Sequence, residues 1–146
     1  MVILPKLIKL NIEDLIGKIL PVLKSYSQIE AAYLFGSALD RVRPDSDIDI
    51  ALLLSPNIDV ENLESWTLAE EIGLHLTRLI GRSFDISLLN VKDYLFAMNV
   101  LTTGKLIYVK NNDILGDFIE KVSLRHRIWY NHYKQALLEV VENDYK

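Results

Sequence analysis

Hydrophobic positions along the chain change period several times, and each change marks an element. From Asn11 the apolar residues Ile12, Leu15, Ile16, Ile19 and Leu23 recur at helical spacing. Asn11 can cap that helix, with Asp14 three residues on, and Pro21 should kink or end it. "IEAAYLF" (29–35) predicts a short strand stopped by Gly36, and "DIDIALLL" (47–54) a second strand ended by "SPN". Residues 62–81 are helical, with Leu63, Trp66, Ala69, Ile72, Leu76 and Leu79 on one face and Gly81 past the end. "SFDISLLN" (83–90) alternates, so Phe84, Ile86 and Leu88 point one way and Asp85 and Ser87 the other. Residues 91–104 predict a helix closed by Gly104, and "KLIYVKN" (105–111) a fourth strand. From Asp113 to about Val141 the pattern is helical again. Phe118, Val122, Trp129, Tyr133 and Val140 form a stripe expected to pack this helix onto the sheet, a partner-binding surface at Trp129, Tyr130 and Tyr133 being the other reading. Strands and helices interleave, which predicts an α+β class with a mixed sheet of about four strands backed by helices and a long C-terminal helix.

Composition narrows the function. At 146 residues the chain suits a single domain, residues 1–146, and its 50% hydrophobic content can supply a core without metal or disulfide staples. Cysteine is absent, which removes thiolate zinc sites and thiol nucleophiles and suits a reducing cytoplasm. No apolar run is long enough to span a membrane, and the first ten residues are interrupted by Pro5, Lys6 and Lys9. The net charge of −4, with scattered basic residues, speaks against broad nucleic-acid contact.

The chemistry concentrates in "FGSALDRVRPDSDIDIALLL" (35–54). Residues two apart on a strand share a face, so Asp47 and Asp49 project together while Ile48 and Ile50 enter the core. Two adjacent carboxylates repel each other, and a divalent cation removes that cost. Magnesium suits such a site, since it binds through one or two carboxylates plus substrate phosphates. Asp85 could join them if its strand lies beside the second. Three carboxylates can hold two ions roughly 4 Å apart for in-line displacement at phosphorus. Gly36 lets a phosphate approach the backbone, Ser37 can donate to it, and Arg41 or Arg43 could meet a phosphate. Each feature alone is also explained by a turn, a cap or a solvated strand residue; the ordered combination is what carries weight.

That combination resembles the signature of the DNA polymerase β-like nucleotidyltransferase superfamily: Gly-Ser, a spacer, then Asp-hydrophobic-Asp. The short chain resembles the minimal, MntA-like antitoxin branch, with "LTTGKLIYVKN" (101–111) also in the family's style. The resemblance implies a nucleotidyltransferase fold, with Gly36, Ser37, Arg41 and Ser46 holding the nucleotide. Asp47, Asp49 and Asp85 would be magnesium ligands and catalytic residues, Asp85 the base for the acceptor hydroxyl. It further implies ATP as donor and a tyrosine of a HEPN-type ribonuclease toxin as AMP acceptor. The spacer here has nine residues and no glycine, whereas many relatives carry an Arg-Gly pair in a longer one, so the roles of Arg41 and Arg43 stay open. Docking to a toxin without catalysis, or transfer to a small-molecule hydroxyl such as an aminoglycoside's, are the other readings. Arg127 and His132 match the Arg-x4-6-His pattern of HEPN ribonucleases, but the predicted strands leave no room for a second, all-helical domain. His126 and His132 lie six apart, unsuited to sharing a metal on one helix face.

Overall fold

In the computed structural model the described residues are 8–9, 11–39, 41–42, 46–90 and 93–144, the side chains of 8, 9, 37, 38, 41, 42, 143 and 144 excepted. Among the described residues six strands and four helices follow in the order β1 Ile8–Lys9, α1 Ile12–Ser25, β2 Ile29–Phe35, β3 Arg41–Val42, β4 Ile48–Leu54, α2 Leu63–Ile80, β5 Phe84–Leu88, α3 Tyr94–Thr103, β6 Lys105–Val109 and α4 Asn112–Asp144. A 3-10 turn, Gly36–Leu39, leaves the end of β2.

The main sheet has the order β5-β4-β2-β6. Strand β2 runs antiparallel to both β4 and β6, whereas β4 and β5 are parallel. The central strands are buried on both faces, which is why their sequences read as near-continuous apolar runs. On one face Ile48, Ile50, Leu52 and Leu54 meet Ile19 and Leu23 of α1 and Ile72 and Leu76 of α2. On the other, Ala31, Tyr33, Ala51 and Leu53 meet Ala97 and Val100 of α3 and Leu115 and Val122 of α4. The β1–β3 ribbon, which periodicity did not predict, pairs Ile8 with Val42 and Lys9 with Arg41.

Helix ends follow their caps. The Asn11 and Asn62 side chains accept from the amides of Asp14 and Ser65, and Gly81 ends α2 at φ 81°. Of the two outcomes expected at Pro21, an ending is ruled out: α1 runs through it to Ser25. A proline ring crowds the carbonyl four residues back, which here belongs to Gly17, and Pro21 faces solvent where that carbonyl can tilt outward.

Two predicted stripes also need correcting. On α2 the buried positions are Ser65, Ala69, Ile72, Gly73 and Leu76, while Leu63, Trp66 and Leu79 are exposed. Gly73 sets this rotation: a Cβ there would lie 3.3 Å from Ile86 Cγ1 and 3.5 Å from the Phe84 carbonyl, so small residues bring α2 close to β5. On α4 only the first part packs. Leu115 and Val122 are buried, but Trp129, Tyr133 and Val140 are 38%, 54% and 57% exposed.

Candidate active site

The site forms at the end of the sheet where β2 finishes and β4 and β5 begin. Register pairs Phe35 with Asp49, and Asp49 with Asp85. Opposed residues on neighbouring strands, about 4.8 Å apart, project to the same face, so Phe35, Asp49 and Asp85 form one row across three strands. The row stands on the α3 side of the sheet, since Ile48 and Ile50 fill the opposite face. Asp47 precedes β4 by one residue and is exposed.

Three forces act on Asp49. Burial pushes its carboxyl pKa above the ordinary value, and the negative charges of Asp85 and Asp47 push it further. Phe35 supplies part of the apolar surroundings, its ring held edge-on by Phe96 at 5.6 Å. Among the described residues no three metal-binding side chains stand close enough to make a finished cage. The Asp49 carboxyl nevertheless lies within the field of both Asp85 and Asp47. Repelled carboxylates spread apart, and a hard, doubly charged cation that takes oxygen ligands is the species that relieves the repulsion. The donor set therefore fits magnesium chemically.

Gly36 ties the Gly-Ser pair to this row. Its φ is +72°, and a Cβ on it would lie 2.6 Å from Asp49 Oδ2. The backbone needs glycine there both for its left-handed conformation and because the Asp49 carboxylate rests against it. The 3-10 turn starts at this residue. The side chains of Ser37 and Arg41, and Arg43 altogether, lie outside the described residues. Ser46 is half-buried, and its carbonyl accepts from Arg82 Nη2 at 3.0 Å.

Arg82 is the residue that sequence reasoning missed. With the Ile48 amide donating to the Ser83 carbonyl at 2.9 Å, it anchors the segment that enters Asp47 and Asp49. An arginine right after the glycine cap of α2 was the available signal, but nothing in the period of the chain says that it reaches residue 46. A groove of about 460 Å³ between α2 and β5, walled by Trp66, Leu74 and Phe84, reaches Asp85 from the edge of the sheet.

His126 is half-buried and His132 exposed on α4. His75 lies on the exposed side of α2 with its Nδ1 3.3 Å from the Tyr26 hydroxyl. No described helix is long and apolar enough to cross a membrane.

No curated protein is similar enough in sequence to count as a match. Solved structures share the fold. The chain superimposes on a chain of the MntA-HepT toxin-antitoxin crystal structure with TM-score 0.59 and 23% identity, covering 88% of this chain and 97% of that one. A chain of the tri-AMPylated Shewanella oneidensis HEPN toxin in complex with MNT antitoxin gives TM-score 0.60 and 24% identity over 88% and 97%. A toxin-antitoxin structure with AMP-PNP gives 0.61 and 24% over 90% and 98%. The model of the polymerase beta nucleotidyltransferase family matches residues 17–113, a span that holds Gly36, the three aspartates and every strand of the main sheet. With the motif, the fold and the family match falling on the same residues, the chain belongs to the polymerase β nucleotidyltransferase family.

Proposed function

We propose that this nucleotidyltransferase is the antitoxin of a HEPN/MNT pair. It transfers AMP from ATP to a tyrosine of the HEPN toxin in the cytoplasm, with magnesium. The observation that carries the reading is the Asp49–Asp85 row with Gly36 pressed against Asp49. The neighbouring folds, which include an antitoxin in complex with an AMPylated toxin and a complex with AMP-PNP, supply the acceptor and donor classes.

Bound magnesium would neutralise the phosphate charge and the mutual repulsion of the carboxylates. Asp47, Asp49 and Asp85 are the side chains that would hold it. Gly36 and Ser37 would seat the triphosphate, with Arg41 and Ser46 beside it. Asp85, the most accessible of the row at the sheet edge, takes the proton from the acceptor hydroxyl. The phenolic oxygen then forms its bond to the α-phosphorus, the bond from that phosphorus to the bridging oxygen breaks, and pyrophosphate leaves. Among the described elements no second domain encloses the site, which suits an acceptor presented by a protein.

The test uses purified protein, labelled ATP, magnesium and the cognate toxin. Wild type should label the toxin and silence its ribonuclease activity, and the Asp47→Asn/Asp49→Asn double variant should do neither. Wild type that labels nothing, with a double variant that neutralises equally well, would replace catalysis by docking alone. Labelling of an aminoglycoside and not of the toxin would move the acceptor to small molecules.

A further inference from the structure

We infer that the far half of α4 is a self-association seam, in which two copies of this chain pair through antiparallel α4 helices. The helix has 33 residues, so it is about 50 Å long. Leu115, Phe118 and Val122 pack on the body, and every residue from Arg127 to Glu142 is exposed. That exposed length is not polar. Ile128, Trp129, Tyr130, Tyr133, Leu137, Leu138, Val140 and Val141 are 38–57% accessible. A solvated helix has no need of so many apolar groups.

The spacing identifies the kind of partner. Leu115, Ile119, Val122, His126, Trp129, Tyr133, Ala136 and Val140 follow one another at alternating intervals of four and three. This is the heptad seam that a second helix fills. It is the same face that packs the start of α4 onto the body, continued past the body's edge. Along it His126, Trp129 and Tyr133 already form a ladder, with Trp129 stacked on Tyr133 at 5.5 Å.

Charge selects a second copy as the occupant. Laid antiparallel with Trp129 opposite Tyr133 of the second copy, the seam also sets His126 opposite Ala136 and Val122 opposite Val140. In this register the flanking Arg125 of each chain faces Glu139 of the other, twice by symmetry, and His132 meets its own equivalent at the two-fold axis. Arg125 and Glu139 are both exposed and outside any ion pair among the described residues. The register brings the Val140 end of the second copy alongside Val122, which stays packed on its own body at 4% exposure. That residue borders a cavity of about 440 Å³ lined also by Ile58, Val60, Tyr94 and Phe118. With the flanking Tyr130 and Leu137, the side chains of His126, Trp129, Tyr133 and Val140 make six large groups per copy, and at roughly 80 Å² each they give about 1,000 Å² in total, the lower bound of a specific interface.

Position leaves the active site free. Helix α4 starts after β6, at the end of the sheet where the Lys110 amide reaches Glu30, whereas Asp49 and Asp85 stand at the opposite end. Pairing through α4 is thus independent of the nucleotidyl transfer.

Sedimentation of the purified chain across roughly 1 to 200 μM tests the seam. A concentration-dependent dimer is expected, lost in Trp129→Glu/Tyr133→Glu. Arg125→Glu and Glu139→Arg should each raise the dissociation constant about tenfold, and the two changes together should restore it, which only the antiparallel register explains. The chain lacks cysteine, so His132→Cys should cross-link to itself with a short bismaleimide, while Leu124→Cys on the far side should not. Circular dichroism checks that α4 stays helical in each variant. The Asp47→Asn/Asp49→Asn variant should dimerise like wild type. A monomer throughout the range overturns the inference, as does a dimer indifferent to Trp129 and Tyr133. So does a free monomer whose toxin binding, and nothing else, is lost in those variants.

Discussion

Replacing Gly36 by alanine separates backbone strain from crowding of the carboxylate. At φ +72° an alanine pays the left-handed penalty of about 1–2 kcal/mol. For a chain of this size that lowers Tm by roughly 3–8 °C. The new Cβ would also stand 2.6 Å from Asp49 Oδ2, where ordinary contact begins near 3.4 Å. The carboxylate must therefore retreat by roughly 0.8 Å, and a displacement of that order costs about a hundredfold in rate when the group is a metal or substrate anchor. Gly81→Ala is the control. Its φ is +81° and nothing lies within 4 Å of its Cβ position, so it carries the strain without the collision. Both variants should melt earlier by a similar amount in thermal denaturation followed by circular dichroism. Only Gly36→Ala should lose adenylyl transfer, measured as label from ATP on the acceptor at saturating magnesium. A Gly36→Ala enzyme with wild-type turnover would show that the position of Asp49 does not matter, and would remove the main support for this site.

Asp49→Asn should raise the metal-free Tm at pH 7 while abolishing transfer. The carboxyl's folded pKa is raised by burial, Asp85 and Asp47, so its contribution to stability is present below the unfolded value near 4 and is lost as pH rises through the folded one. The advantage of the variant should fade in melts at pH 3, and a variant less stable than wild type at pH 7 would contradict that sign. Magnesium should raise the Tm of wild type at neutral pH and leave Asp47→Asn/Asp49→Asn unchanged; equal shifts would place the ion elsewhere. Arg82→Ala frees the Ser46 carbonyl and should cut transfer about tenfold with the acceptor KM little changed, since it acts through the backbone entering Asp47. Gly17→Ala, in the middle of α1 with open space around its Cβ position, tests the accommodation of Pro21. The usual gain is 0.5–1 kcal/mol or about 2–4 °C, and it should be absent or reversed here if the glycine carbonyl must tilt away from the proline ring.

By itself the sequence determined the elements and their chemical cargo. The cap at Asn11 and the stop at Gly81, apolar runs for the buried strands, alternation in β5 and the Gly-Ser with Asp-x-Asp are local signals, set by interactions a few residues long. Tertiary structure decided what those elements meet. Asp85 becomes a partner of Asp49 only because β5 lies parallel to β4, in a register that no period along either strand encodes. Arg82 matters only because α2 returns it to residue 46, and the space at Gly36 is closed to a Cβ only because Asp49 is folded against it. The stripe on α4 shows the same division from the other side. Its apolar period was plain in the sequence and reads as burial. Whether the body is long enough to bury it is a property of the whole fold, and here the body ends near Val122 while the helix does not.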